Sequence, residues 1–303
     1  MAEKKETILI TGARGAIAKH LSALILHDYH IKFLTRKKTH DNEYSWDLKT
    51  KNIDRAAFKD VDHIIHLSGA HIADKRWTAK RKIEIMSSRV DSAKLILETL
   101  KENRIKIDSF ISASAVGYYG AKTSDSVFSE QDEGGVDFLS AVCHEWEKIA
   151  ERFVSENAAR RTVILRFGIV LSKNEGVLPK MNLPVRLNLG AYFGNGSQFM
   201  PWIHIEDLCA MLQFVLKHKA AEGKFNAVAP EHVTNKIFTD CLAQCLHKRI
   251  WLPNIPSFMI RLLFGESSIL LLEGSRISSQ KITEAGFRFK YPALKTALEN
   301  LLA

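Results

Sequence analysis

The sequence predicts an α/β protein with a Rossmann-like, doubly wound, mainly parallel sheet and a smaller, mostly helical C-terminal lobe. In the first two thirds of the chain, short β-branched runs alternate with longer amphipathic stretches. Strands that alternate with helices imply right-handed crossovers between parallel strands. The first predicted strand also runs directly into a glycine-containing turn that opens a helix, and residues 232–303 are mainly helical in pattern.

Each predicted element follows from the spacing of its apolar residues. In the longest helix, apolar residues recur three or four positions apart from Ile83 to Leu100. The short, β-branched runs predict strands at residues 6–11, 31–35, 61–67, 108–114, 162–167 and 224–229. The amphipathic stretches predict helices at residues 16–27, 78–103, 140–157 and in a segment that follows residue 202 and ends at residue 218.

A change in composition after Gly168 suggests two structural units. Residues 172–200 are rich in Gly, Asn and Pro, and this predicts irregular excursions rather than sheet. We therefore predict a nucleotide-binding body at residues 1–171 plus 201–231. The substrate-side lobe is predicted at residues 172–200 plus 232–303.

Composition and charge argue against several classes of protein. The 303 residues are 46% hydrophobic and carry a net charge of +9, but the basic residues are scattered along the chain. This pattern predicts a solvated surface, with no nucleic acid and no membrane as partners. The N-terminus has no secretory pattern, and the four cysteines lack a Cys-x-x-Cys spacing. We expect a cytoplasmic protein with free thiols and no metal site.

The strongest local motif is the turn between the first strand and the first helix, TGARGAIA at residues 11–18. Gly12 permits a tight turn, and Gly15 lets the backbone approach a pyrophosphate at the helix N-terminus. Ala18 replaces the third glycine of the usual pattern. The motif predicts a dinucleotide site of the Rossmann type, and the alternative is an ordinary corner. The predicted contacts are Thr11, Gly12, Arg14, Gly15, Ala16 and Ile17.

The end of the second strand indicates which dinucleotide binds. Thr35 is followed by Arg36 and Lys37, where a protein that prefers NAD usually has Asp or Glu. A guanidinium suits the 2′-phosphate of NADP, which a carboxylate would repel. The sequence therefore favours NADP over NAD, and the alternative is a solvated basic turn.

Several segments in order resemble one family. They include LTRKK, HLSGAHIADKRWT, ISASAVGYYG, LRFGIVLS, PWIHIEDL and LLLEGSRISSQKITEAGFRFKYP. Together with TGARGAIA, this set resembles the atypical extended short-chain dehydrogenases/reductases that include human family member 39U. Their bacterial relatives are called epimerase-family or nucleoside-diphosphate-sugar epimerase-like proteins. The C-terminal part is similar to the small domain of unknown function that ends these proteins.

The resemblance implies further cofactor contacts. These are Leu67, Ser68 and Gly69 under the adenosine, Trp46 and Asp47 near the adenine, Glu84 and Arg89 on the long helix, and Arg166 near the nicotinamide. A solvated helix face is the alternative for Glu84 and Arg89. For His204 and Asp207 we expect capping and packing roles.

The sequence matches the catalytic residues of this superfamily less completely than its cofactor site. The superfamily uses a Ser, a Tyr acting as acid and base, and a Lys four positions after the Tyr. The resemblance matches Ser114 to the Ser, but places Leu139 and Cys143 where the Tyr and Lys belong. Tyr118 or Tyr119 is the candidate proton donor, and pocket lining is the alternative. Cys143 is a further candidate for a non-standard acid/base group.

Three functions stay open at this point. The first is an NADP-dependent oxidoreductase or epimerase that acts on an unknown small molecule with a non-standard acid/base group. The second is a catalytically silent NADP-binding redox sensor or scaffold. The third, a nucleic-acid or membrane-surface protein, is the weakest because the charges do not cluster in sequence. The resemblance also implies a homodimer formed through the helices around residues 78–103 and 137–157.

Overall fold

The predicted alternation of strands and helices is present in the computed structural model, which describes residues 5–303. The strands are β1 (Thr7–Thr11), β2 (His30–Thr35), β3 (Glu43–Asp47), β4 (Asn52–Ile53), β5 (His63–His66), β6 (Ile107–Ala115), β7 (Ser124–Phe128), β8 (Ala159–Phe167), β9 (Ile169–Leu171), β10 (Trp202–His204), β11 (Gly223–Ala227) and β12 (Ser275–Ile277). The α-helices are α1 (Ala16–Ile25), α2 (Ala79–Glu102), α3 (Phe138–Ser155), α4 (Val177–Arg186), α5 (Ile205–Lys217), α6 (Asn235–Cys245), α7 (Ser257–Phe264), α8 (Ile269–Leu272), α9 (Gln280–Glu284) and α10 (Leu294–Leu302).

The main sheet has eight strands within the described residues, in the order β11-β8-β6-β5-β1-β2-β3-β4. Its pairs are parallel except β3 with β4. β1 lies between β2 and β5, so the chain builds the sheet outward in both directions from β1. Ligands of open α/β sheets bind at such a switch point, beyond the carboxyl ends of the strands.

Alternate residues of the central strands bury against helices on opposite faces. Ile8 and Ile10 of β1 belong to one apolar cluster with residues of α1 and α5, whereas Leu9 belongs to a second cluster with residues of α2 and α3. A strand that is buried on both faces has a nearly continuous apolar sequence, and the TILIT segment of β1 is an example. The doubly wound fold class predicted from the sequence is therefore confirmed.

The C-terminal part is mainly helical, as predicted, and joins the same core. Residues of α6 and α10, including Phe238 and Leu298, share one apolar cluster with β1 and α1. The predicted division between body and lobe passes through this continuous cluster, and it stays a prediction.

The segment 172–200 differs from the irregular structure that its composition predicts. It contains α4, which begins after Gly176 at φ +83° and has Pro184 inside its last turns. Pro179 lies in the first turn of this helix, where a backbone N–H has no intrahelical acceptor to lose. Leu178 and Val185 are buried in the main core, so tertiary packing outweighs the weak helix propensity of the prolines.

Candidate functional site

The glycine loop between β1 and α1 makes a tight turn directly after the strand. Gly12 has φ +76°, and a Cβ there would lie 3.0 Å from the carbonyl oxygen of Leu67. The Gly15 amide donates to the Gly12 carbonyl oxygen at 2.9 Å and closes the turn. Among the described residues, no side chain accepts a capping hydrogen bond at the start of α1. The first amides of α1 are therefore available to an anion such as a phosphate.

The ends of β1 and β5 are tied together beneath this loop. Thr11 Oγ1 accepts hydrogen bonds from the amides of Leu67 and Ser68, each at 3.0 Å. Arg89 lies under Gly69, where a Cβ would come within 3.0 Å of its Cζ atom, and it donates to the Ala70 carbonyl at 3.1 Å. Burial lowers the pKa of Arg89 to about 10. The structure thus brings the predicted segment 67–69 and Arg89 together beyond the carboxyl ends of β1 and β5.

A buried histidine supports the same strand ends. The His66 ring lies 2.9 Å from Ser92 Oγ on α2 and 3.4 Å from Thr11 Oγ1. Complete burial lowers its pKa to about 3. The sequence reasoning did not select His66, whose only signal is its position at the end of an apolar strand.

The predicted basic corner lies beside the glycine loop. Arg14 Nη2 donates to the Lys37 carbonyl at 2.9 Å, so the two turns are joined. Arg36 is exposed at the end of β2. The pKa of Glu84 is lowered mainly by a hydrogen bond from Arg81 at 2.6 Å, and more weakly by the positive charge of Arg36. Arg36 therefore lies within electrostatic range of the Glu84 carboxylate.

The two β3 residues differ in what they can reach. Trp46 is 6% exposed and belongs to the apolar cluster that contains residues of α2 and α3. Asp47 is exposed, and its Oδ1 accepts the Lys49 amide at 2.9 Å. Only Asp47 therefore presents its side chain to solvent, and the adenine contact assigned to both residues stays a prediction.

A buried ion pair lies below the predicted catalytic serine. Arg166 donates to both carboxylate oxygens of Glu147, from Nε and Nη2, at 2.8 Å each. Ser114, which faces Arg166 across β6 and β8, donates from Oγ to Glu147 Oε1 at 2.7 Å. Burial by itself would lower the pKa of Arg166, but Glu147 outweighs it and raises the pKa. Arg166 is 0% exposed and Ser114 2%, so both support the site from beneath the groove.

The two predicted tyrosines have different surroundings. Tyr119 accepts a hydrogen bond from Arg166 Nη1 at 2.8 Å and donates to Asn226 Oδ1 at 2.7 Å. Burial raises the pKa of Tyr119 to about 12, so its hydroxyl stays protonated at neutral pH and donates to Asn226. The Tyr118 ring stacks on the Arg166 guanidinium at 3.4 Å and lies 4.5 Å from the His144 ring.

The helix that should carry the Tyr-Lys pair presents apolar groups instead. Leu139 and Cys143 lie one turn apart on α3, and both face Gly117 directly after β6. Burial, followed by the charge of Glu147, raises the pKa of Cys143 to about 12, which leaves a neutral thiol. Leu139 has no proton to give, and the neutral thiol of Cys143 lacks the positive charge that a Lys would supply.

Other residues singled out in the sequence have structural roles. His204 Nδ1 accepts the Glu206 amide at 3.0 Å and caps α5. Asp207 accepts the amides of Lys290 and Tyr291 at 2.7 and 2.9 Å. The capping and packing roles predicted for His204 and Asp207 are confirmed.

Glu147 and Asn226 are the main site residues that sequence reasoning missed. Both are buried polar residues within the network that holds Ser114, Tyr119 and Arg166. Glu147 gives only a weak sign of a buried role in the sequence, because a single Glu in an amphipathic helix is usually exposed to solvent. The pairing of β6 with β8 places Ser114 opposite Arg166, and both side chains then donate to the Glu147 carboxylate.

Comparison with known proteins matches most of the chain. The model of the NAD dependent epimerase/dehydratase family covers residues 8–228, and a domain of unknown function, DUF1731, covers residues 255–301. An epimerase family protein of Staphylococcus haemolyticus is 34% identical over 299 residues, which is 97% of this chain and 98% of the relative. Another from Staphylococcus saprophyticus is 36% identical over 300 residues, with the same two coverages.

Two solved structures extend the likeness to three dimensions. The human epimerase family protein SDR39U1, crystallised with NADPH, is 28% identical, has a TM-score of 0.88 and aligns over 97% of this chain and 98% of its own. A nucleoside-diphosphate sugar epimerase from Corynebacterium glutamicum is also 28% identical, with a TM-score of 0.80. That match covers 99% of this chain and 58% of the other.

Proposed function

This chain belongs to the NAD dependent epimerase/dehydratase family, and we propose that it binds NADP(H) in the groove beyond β1 and β5. The observation that carries the proposal is the combination of the Gly12–Gly15 loop with Arg36 at the end of β2. The human structure with NADPH supports the same choice of cofactor.

The residues present suit the nucleotide on three counts. Gly12 has φ +76°, and a Cβ there would lie 3.0 Å from the Leu67 carbonyl oxygen, so glycine suits this tight turn, which sets the start of α1 at the carboxyl end of β1. The uncapped start of α1 offers amides to the pyrophosphate. Arg36 offers a cation to the 2′-phosphate. Thr11, Leu67, Ser68 and Gly69 would form the floor under the ribose.

We further propose an oxidoreductase or epimerase that acts on an unknown small molecule without the usual Tyr-x-x-x-Lys pair. Bound NADP(H) would supply the hydride chemistry. Ser114 would orient a substrate oxygen only after its hydroxyl turns from Glu147, since that bond now occupies its proton. Of the two tyrosines, Tyr118 is the better candidate for proton donor, because the hydroxyl of Tyr119 is held by Arg166 and Asn226.

A second function, a catalytically silent NADP(H) binder, is favoured by one observation. Leu139 and Cys143 occupy the face that should hold the acid/base pair, and Ser114 donates to a buried carboxylate. A protein that binds the nucleotide without turnover could report redox state or hold a partner.

Calorimetric titration with NADPH and NADH tests the cofactor. We expect NADPH to bind at least about tenfold more tightly than NADH, because a 2′-phosphate paired with a guanidinium contributes one or more charge-assisted hydrogen bonds. Arg36→Ala should remove most of that preference. The matched control is Arg160→Ala. Arg160 is exposed at the amino end of β8, whereas Arg36 lies at the carboxyl end of β2, so the two residues lie at opposite ends of the parallel strands. Equal binding of the two nucleotides by the wild type would contradict the NADP assignment.

A hydride-transfer assay separates the enzyme from the silent binder. NADPH oxidation is followed with a panel of aldehydes and ketones. Nucleotide sugars are incubated with NADP+ and analysed for epimerised product, because an epimerase returns the hydride to its substrate and consumes no net cofactor. Both assays are run for the wild type and for Ser114→Ala, Tyr118→Phe and Tyr119→Phe. An enzyme that uses Tyr118 should lose most of its kcat in Tyr118→Phe while keeping its affinity for NADPH. Tight NADPH binding without turnover of any substrate would favour the silent binder.

A further inference from the structure

The C-terminal lobe exposes a row of large apolar side chains on α7. Ile260 is the buried anchor of this eight-residue helix. Around it, Phe258 is 70% exposed, Leu262 74% and Leu263 65%. Single exposed apolar residues are ordinary on protein surfaces, but a contiguous group marks an interaction surface.

The exposed surface continues from α7 to the end of α4. Trp251 Nε1 donates to the Asn188 carbonyl at 3.0 Å, which places the exposed indole beside Leu187 and Leu189. The Ile255 amide donates to the Tyr192 carbonyl at 2.9 Å, two residues before α7 begins. These contacts hold the start of α7 against the segment that follows α4. We call the combined surface the lobe patch, formed by Leu187, Leu189, Trp251, Phe258, Leu262 and Leu263.

Basic residues lie in or next to the segments that form the lobe patch. Arg261 projects from α7 itself, and Arg186 lies in the last turn of α4. Arg76 packs against Gly265, where a Cβ would lie 3.0 Å from Nη2, at the carboxyl end of α7. Lys248 and Arg249 precede Trp251 by two to three positions. The nearby carboxylate of Glu266 is paired with Lys82.

We propose that the lobe patch docks on the surface of an anionic phospholipid bilayer. Aromatic and leucine side chains with a basic rim suit the interface, where apolar groups enter the acyl boundary and cations meet phosphates. A helix of this length extends about 12 Å and suits a position parallel to the membrane plane. No helix within residues 5–303 is long and apolar enough to cross a bilayer.

The charge of the rim argues against a second copy of the chain as the occupant. A two-fold contact through the lobe patch would place the same surface on both partners. Two basic rims would then oppose each other, on chains that each carry a net charge of +9. An anionic surface has the complementary charge.

Vesicle flotation tests the proposal. The full chain is mixed with phosphatidylcholine vesicles, either pure or containing about 30 mol % phosphatidylglycerol, at low and high salt. We expect flotation with the anionic vesicles and its loss at high salt. Phe258→Ser combined with Leu262→Ser should weaken partitioning at least about tenfold, because two apolar side chains no longer enter the interface.

The matched control changes two exposed leucines elsewhere, Leu24→Ser with Leu26→Ser, which are 45% and 49% exposed in the wild type. These should float like the wild type, and circular dichroism melting should show that both double variants are folded. The proposal is overturned if the wild type does not float, if it binds neutral vesicles equally well, or if the control loses binding to the same extent. A wild-type dimer that the Phe258 and Leu262 changes convert to a monomer would assign the patch to a second copy instead.

Discussion

The Arg166 guanidinium has a partner at each of its three nitrogens, which is what a fully buried cation requires. Two nitrogens donate to Glu147 and the third donates to Tyr119. Removing one member of such a network leaves a buried polar group without a partner, and that costs more than the bond itself contributes. Replacing any single residue of this network should therefore lower the stability of the fold.

Tyr119→Phe should destabilise the protein by about 1–3 kcal/mol, because Arg166 and Asn226 would each lose a buried partner. Urea unfolding of the variant and the wild type measures this difference. Tyr118→Phe is the matched control, since its ring stacking on Arg166 survives the change. An equal loss in both variants would contradict the role assigned to the Tyr119 hydroxyl.

Acid should weaken the fold through His66. Burial lowers its folded-state pKa to about 3, against an ordinary value near 6.5. Between these values the unfolded chain binds a proton that the folded chain does not. The stability is therefore full above about pH 6.5 and falls at up to about 1.4 kcal/mol per unit as the pH drops.

The measurement is urea unfolding at neutral pH and at about pH 5.5, above the range in which most carboxylates titrate. His66→Gln should show a smaller loss on acidification than the wild type. His204 also has its pKa lowered by burial, so the wild-type slope contains its contribution and the difference isolates His66. Identical slopes in the two proteins would show that His66 is not the group that titrates.

At the level of elements, the six predicted strands and the long helices are present with small shifts of their ends, whereas the short strands β3, β4, β7, β9, β10 and β12 were not predicted. β8 begins three residues before its predicted start, and α2 lies one residue inside its predicted range at each end. These elements have continuous or strongly periodic apolar positions, which local reasoning detects. α4 was not predicted, because its prolines argue for a loop and its burial against the main core is visible only in three dimensions.

The carboxylate of Asp137 accepts two hydrogen bonds at the start of α3. Asp137 Oδ1 accepts the Ser140 amide at 2.9 Å as the N-cap, and Oδ2 accepts the Ala121 amide at 2.6 Å from the segment after β6. Asp137→Ala should cost about 2–3 kcal/mol, as the sum of a lost cap and a lost charge-assisted bond. Asp137→Asn should recover the cap, since its carbonyl oxygen still accepts from Ser140. Thermal or urea unfolding of the pair checks the order, and a smaller loss in Ala than in Asn would contradict it.

The candidate site was predictable in its cofactor half and much less in its catalytic half. The glycine loop and the basic corner are local motifs, so their residues are adjacent in sequence and the fold joins them through the Arg14 contact to Lys37. The surroundings of Ser114 depend on Glu147, which is 33 positions away and comes from another element. The resemblance therefore points to Ser114, but it gives no indication of what the hydroxyl contacts.

For the molecule as a whole, folding groups features that are dispersed along the chain. The sequence argues against a membrane partner because its basic residues are scattered, but the fold places Arg186 at the end of α4, Arg261 on α7 and Arg76 beside Gly265 at the end of α7. The dimer helices implied by the resemblance carry ion pairs between their outward side chains, such as Lys101 with Glu156. The homodimer stays a prediction, and the flotation experiment decides whether the lobe patch meets lipid.

Cofactor binding should stabilise the whole fold, because the groove joins the ends of β1, β2 and β5. A ligand present at about 100 times its Kd adds about 2.7 kcal/mol to the free energy of unfolding. For a chain of this size, this raises Tm by about 5 °C. Differential scanning fluorimetry with equal concentrations of NADPH and NADH should give a clearly larger shift for NADPH, and Arg36→Ala should make the two shifts similar. Arg160→Ala should keep the wild-type difference. A wild type that NADH stabilises as much as NADPH would mean that Arg36 is a solvated cation without a role in choosing the nucleotide.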